Sequence, residues 1–206
     1  MHVLVMTTDA FVAANVFFLF AVKNVVVKNG VFKKFIYSDA LCMMSSLFFH
    51  MPFIALSTAS TAAAVPYLLP QPTTTTYGGA SAVATQVRLF FEPTHPHNAL
   101  IIRKLFQIEH AILQSYAAAI HSRKTPVYRL YETLMHGNIY AHGPASASAS
   151  ASATTTTAAG SIINQRIMPQ HQLQSLLWFF VKCFGVWESA SEFGLTYKFV
   201  AYNASS

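Results

Sequence analysis

Charge is what this chain is short of. Asp, Glu, Lys and Arg make up 10% of its 206 residues, against roughly 25% in an ordinary soluble domain. A surface facing water needs charge to stay dissolved, and 53% of this chain is apolar. The composition therefore favours a chain with much of its surface in or on lipid. Cysteine is almost absent too. Cys42 and Cys183 are too few for a disulfide framework. Each lies in an apolar stretch, where a thiol behaves as a small hydrophobe.

The positive charge is in excess but thin. There are 13 Lys and Arg against 7 Asp and Glu. Lys23, Lys28, Lys33 and Lys34 lie near the start, then the pairs Arg103–Lys104 and Arg123–Lys124, then scattered singles. Nucleic-acid binders concentrate their charge. The dispersed pattern predicts only a mild attraction to anionic surfaces, lipid included, and makes nucleic acid an unexpected partner.

Motifs for chemistry are missing as well. There is no phosphate-binding glycine loop and no dinucleotide fingerprint. Gly79-Ala80-Ser81-Ala82 begins like a nucleophile elbow but continues into Val83, where glycine is required. Among nine histidines, His95 and His97 share a Pro-rich turn, Glu132 and His136 are four apart, and His142 follows in a glycine-flanked loop. A metal needs three or four converging ligands, and this spacing fits no established pattern. Glu188 and Glu192 form another i, i+4 pair, read as the solvated end of a helix. Asn203-Ala204-Ser205 matches a glycosylation sequon by chance as easily as by design. No catalytic, cofactor-binding or metal-binding residue is assigned, no cofactor is expected, and an enzyme is not expected.

Hydrophobic runs are what is there. Residues 10–22 carry no charge, and the apolar character continues past Lys23 to Val27. That length suits a transmembrane or signal-anchor helix, a cleaved signal peptide, or a buried strand or core helix. Between 40 and 87 there is no acid or base at all, although His50, Pro52 and several Ser and Thr interrupt the run. The two stretches bracket Lys28, Lys33 and Lys34. The pattern predicts a transmembrane helical hairpin with that loop on the cytoplasmic side.

Low-complexity tracts separate the rest. Pro66, Pro70, Pro72 and a run of Thr mark one linker, and alternating Ala and Ser followed by Thr mark a second. Between them, with Asn98 as N-cap, Ile101, Leu105, Ile108, Ile112, Tyr116 and Ala119 recur at helical spacing, with Arg103, Lys104, Gln107 and Glu109 off the stripe. A short second helix over 127–135 ends at Gly137. Leu173, Leu176, Leu177, Phe180, Val181 and Phe184 predict a further helix, apolar nearly all round. Leu195, Tyr197, Phe199 and Ala201 alternate as in a strand.

The predicted fold is mainly α and irregular, with an N-terminal transmembrane helical hairpin and a helical pair in the middle. The predicted divisions are an apolar membrane segment at 1–64, linkers at 65–87 and 144–160, a helical region at 88–143, and an apolar helix with a terminal strand at 161–206. The first functional reading is a small non-enzymatic membrane-anchored interaction protein, with membrane lipid as the expected partner and a protein partner second. The alternatives are a soluble or nuclear adaptor acting through helices at 98–136, and a recently arisen, poorly folded chain. No small-molecule substrate is implied.

Overall fold

A computed structural model of the chain describes residues 4–24, 30–56, 71–74, 83–121, 123–142 and 177–203. Strands dominate it. In chain order they are β1 (Val16–Lys23), β2 (Val31–Ser38), β3 (Met43–Met44), β4 (Leu47–His50), β5 (Gln71–Thr74) and β6 (Val83–Phe90), then β7 (Thr125–Val127), β8 (Asn138–His142), β9 (Leu177–Glu188) and β10 (Glu192–Asn203). Two α-helices interrupt them, α1 (Pro96–Ile120) and α2 (Arg129–Met135).

One mixed sheet joins all ten described strands, in the main order β1-β2-β9-β10-β8-β6-β5. β3 adds to β2, β4 adds to β9, and β7 adds to β10. The pairings of β10 with β7 and with β8 are parallel, and the remainder are antiparallel. The spine is the β9–β10 hairpin, closed by a tight turn in which Ser189 N–H donates to the Glu192 carbonyl at 2.8 Å. A bulge between Thr196 and Tyr197 shifts its register.

The predicted mainly α fold and the transmembrane hairpin are both corrected. Residues 16–23 and 31–38 form an antiparallel strand pair, and 47–50 pair with β9. Among the described residues no helix is long and apolar enough to cross a membrane. The transmembrane-helix assignment therefore falls where the residues are described, and 57–70 of the second predicted span lie outside them. Runs rich in Val and Phe satisfy strand and helix alike, because apolar residues on both faces, many of them exposed on β1, erase the periodicity that separates the two. The apolar helix predicted around 173–184 fails for the same reason. Leu177, Phe180, Val181 and Phe184 lie on β9, while Leu173 and Leu176 fall outside the described residues. Of the first linker, 71–74 and 83–87 lie in strands; the second lies outside the described residues.

The middle helix and the terminal strand form as predicted. Ile101, Leu105, Ile108, Ile112 and Tyr116 are buried, joined by Ile102 and Leu113. They share one core with Phe35, Leu47, Phe49, Val181, Cys183, Phe193 and Leu195 from the sheet. Burying each such side chain contributes roughly 1.5–3 kcal/mol. The N-cap is His95 rather than Asn98, with Pro96 at the first helical position. Asn98 is instead fully buried. Its amide ties down the segment at Ile54, accepting from Ile54 N–H at 2.8 Å and donating to the Ile54 carbonyl at 3.0 Å and the Glu92 carbonyl at 2.9 Å. α2 ends at Gly137, whose φ of +68° suits the glycine there.

Glu109 is a second correction. It is fully buried instead of off the stripe. Its carboxylate accepts N–H bonds from Leu130 and Tyr131, both at 3.0 Å, and so caps the first turn of α2. Burial pushes this carboxyl up to about 7, against the pull of those two N–H groups, and the Glu132 charge adds to the rise.

Candidate functional site on the open sheet face

Strand alternation sorts the sheet into two faces. Phe179, Val181, Cys183 and Val186 of β9, with Phe193, Leu195 and Ala201 of β10, are buried in the core shared with α1. The opposite face presents the intervening residues, and Arg129 at the start of α2 reaches it at Trp187. Register places them in rows. Phe32 lies opposite Trp187, which lies opposite Gly194. Next comes Lys34 opposite Gly185, itself opposite Thr196. Beyond the bulge, Phe48 lies opposite Lys182 and Lys182 opposite Lys198, followed by His50 opposite Phe180.

Two adjoining cavities open on this face and share Phe184. The larger, about 560 Å³, is lined by Phe32, Phe184 and Trp187 together with Asn24, Arg129, Ser189, Glu192 and Thr196. Its aromatic walls are set by two glycines. A Cβ on Gly185 would stand 2.3 Å from the Phe32 ring, and one on Gly194 would stand 2.7 Å from Trp187. Each glycine thus lets a ring from the neighbouring strand lie against the sheet. The Arg129 guanidinium stacks on Trp187, 4.8 Å from its centroid. Thr196 Oγ1 is buried with no hydrogen-bond partner among the described residues, an unmet polar atom at the wall of the cleft.

The smaller cavity, about 210 Å³, is lined by Lys34, Lys182 and Lys198, with Ser45, Ser46 and Phe184. Lys182 and Lys198 are direct cross-strand partners, an arrangement that is destabilising by itself. None of the chain's seven acids lines this cavity. Five are committed elsewhere: Asp9 to Lys104 at 2.9 Å, Asp39 to the N–H groups of Leu41 and Cys42, Glu92 to the Thr94 hydroxyl, Glu109 to α2, and Glu188 to Lys124 and Tyr116. Partial burial, and then the charges of Lys198 and Lys34, hold the Lys182 ammonium below its ordinary value. Lys182 also lies 5.0 Å from the Phe48 ring centroid.

The same alternation of cation and aromatic ring continues toward the other edge. Arg88 of β6 stacks between Phe90 and Tyr140, 4.2 and 4.9 Å from their centroids. Near the far end of β9, Trp178 is 53% exposed and neighbours His50 and Phe180.

The residues weighed from the sequence for chemistry do not converge. His95 caps α1 and accepts from His97 N–H at 3.3 Å, and His97 Nε2 lies 2.9 Å from the Pro52 carbonyl. Glu132 and His136 sit on and just after α2, and His142 ends β8. Among the described residues no three His, Cys, Asp or Glu are grouped to hold a metal. Glu188 and Glu192 flank the hairpin turn rather than ending a helix. Glu188 meets Tyr116 of α1, while Glu192 lines the cleft. Sequence reading missed Lys34, Lys182 and Lys198 as a group. No local signal marked them: a hairpin about 189–191 in unbroken register would set Lys182 against Phe199, and the bulge between Thr196 and Tyr197 brings Lys198 opposite Lys182.

The fold and this surface define a mixed sheet backed by one long helix, with a basic and aromatic open face. No family model, curated protein or solved structure matches the chain.

Proposed function

We propose that this chain is a non-enzymatic interaction protein whose open sheet face binds a multiply charged anion. One observation carries the reading: three lysines, Lys34, Lys182 and Lys198, line one small cavity with two serines, Phe184 and no acidic residue. Like charges held together on a rigid sheet repel, and a bound anion turns that repulsion into attraction. The serine hydroxyls add neutral donors of the kind that surround phosphate. The apolar stripe of α1 is consumed in the core, which favours the sheet face over the helices at 98–136 as the working surface.

The test is thermal unfolding of the full chain with and without tripolyphosphate. A ligand bound to the folded state raises the melting temperature, so a dose-dependent rise is expected. The doubly substituted Lys182→Gln/Lys198→Gln chain should lose that rise while remaining folded. No shift in the parent chain, or an equal shift in the variant, would overturn the reading.

A further inference from the structure

We infer that the anion is the backbone of a single-stranded nucleic acid, with a base in the cleft of Phe32, Phe184 and Trp187 and the adjoining phosphate among Lys34, Lys182 and Lys198. This rests on the anion-binding reading of the lysine cavity and adds the identity of the ligand.

Three observations lead there. The cleft and the lysine cavity are adjacent, with Phe184 in the wall of both. Phe32 and Lys34, like Thr196 and Lys198, are two residues apart on one strand and on one face. That step is about 6.6 Å along a strand, a distance that lets one nucleotide put its base in the first site and a phosphate in the second. The cleft volume, about 560 Å³, lies within the range of roughly 300–1,000 Å³ typical of small-ligand sites and takes a base with its sugar.

The polar lining fits a base edge. Glu192 offers a carboxylate acceptor at the cleft. The Arg129 guanidinium over Trp187 presents a flat cation of the kind on which bases stack.

Aromatic rings also continue past the lysines in the other direction, through Phe48, His50 and exposed Trp178. Stacking platforms on both sides of a phosphate site suit a strand rather than a free nucleotide. Double helices hide their base faces and cannot use such platforms. An anionic bilayer would satisfy the lysines but has no use for a concave, ring-walled cleft beside them.

The experiment uses the full chain and fluorescence anisotropy of labelled twelve-residue oligo-U and oligo-dT. A duplex of equal length and phosphatidylserine vesicles serve as competitors, with tripolyphosphate run alongside. Either single strand should bind in preference to the duplex and quench tryptophan emission. Affinity should fall with salt, by roughly 0.7 in the log–log slope per phosphate engaged. Trp187→Leu should weaken binding between about fivefold and a hundredfold, and Phe184→Leu provides an independent removal of one ring if the first variant unfolds. Lys182→Gln/Lys198→Gln should lower the salt slope by about one to two. Equal affinity for the duplex, displacement by vesicles at matched charge, or indifference to both ring variants would overturn the inference. Lysine-dependent binding of tripolyphosphate would then still leave the anion-binding reading standing.

Discussion

Replacing Glu109 by glutamine should remove a large part of the pH dependence of stability. Glu109 is fully buried between α1 and α2, and its carboxyl is pushed up to about 7 from an ordinary value of 4.5, mainly by burial. In the unfolded chain the group releases its proton near 4.5. In the folded chain it holds the proton until about 7. Across that window the folded state binds more protons than the unfolded state, so stability falls as pH rises. A difference of about 2.5 units at about 1.4 kcal/mol per unit is on the order of 3 kcal/mol. Below about 4.5 the full stability is present, and above about 7 the loss is complete. The amide of the Glu109→Gln chain has no proton to lose and keeps one oxygen to accept from Leu130 or Tyr131. Urea unfolding of both chains at pH 5 and pH 8 reads the effect. The parent should lose about 3 kcal/mol more than Glu109→Gln between the two pH values, and amide exchange at Leu130 and Tyr131 should quicken in parallel. Equal pH dependence in the two chains would refute the reasoning, because it would mean that the carboxyl is either hydrated or fully stabilised by its two N–H donors.

Other parts of the structure make separate predictions. Gly185→Ala drives a Cβ to 2.3 Å from the Phe32 ring and should destabilise by about 1–3 kcal/mol, read as a lower urea midpoint. For Glu188, burial works to raise the carboxyl, but hydrogen bonds from Lys124 and Tyr116 and the charges of Lys124 and Lys33 outweigh it and hold it below its ordinary value. Its stabilisation is present above about pH 4.5 and disappears as pH falls through the depressed folded value, so Glu188→Gln should be less acid-sensitive than the parent in an acid-unfolding titration. Lys182→Gln removes a like-charge cross-strand pair and should raise stability by about 0.2–1 kcal/mol at low salt, with the gain shrinking in high-salt melts. Leu134→Ala opens a cavity at a fully buried site on α2 and should cost about 2–5 kcal/mol in a denaturant titration.

Legibility followed how local each signal was. α1 was legible because its apolar residues meet a single core at one period, and 195–202 because one strand face is buried and the other is partly polar. β9 was not. Its core face carries Phe179, Val181 and Cys183 while its open face carries Trp178, Phe180 and Phe184, so the apolar–polar contrast that marks a strand is absent. Residues 10–22 misled for a related reason: a run of Val, Phe and Ala has the length of a short membrane segment, and Phe17 and Phe20 stay exposed on edge strand β1 even when it is paired. Glu109 looked like an ordinary surface charge because its partners, the N–H groups that open α2, lie on a different element.

By itself the sequence determined the long helix, its termination before α2, the terminal strand, and the scarcity of charge that leaves few carboxylates to neutralise any lysine. Those are properties of neighbours along the chain, set by periodicity and composition. Only the tertiary structure decided that Lys34, Lys182 and Lys198 meet, that Gly185 and Gly194 make room for rings from other strands, and that the apolar runs close into a sheet. The physical reason is that sheet pairing brings together residues remote in sequence, and a one-residue change of register would turn each of those side chains to the other face.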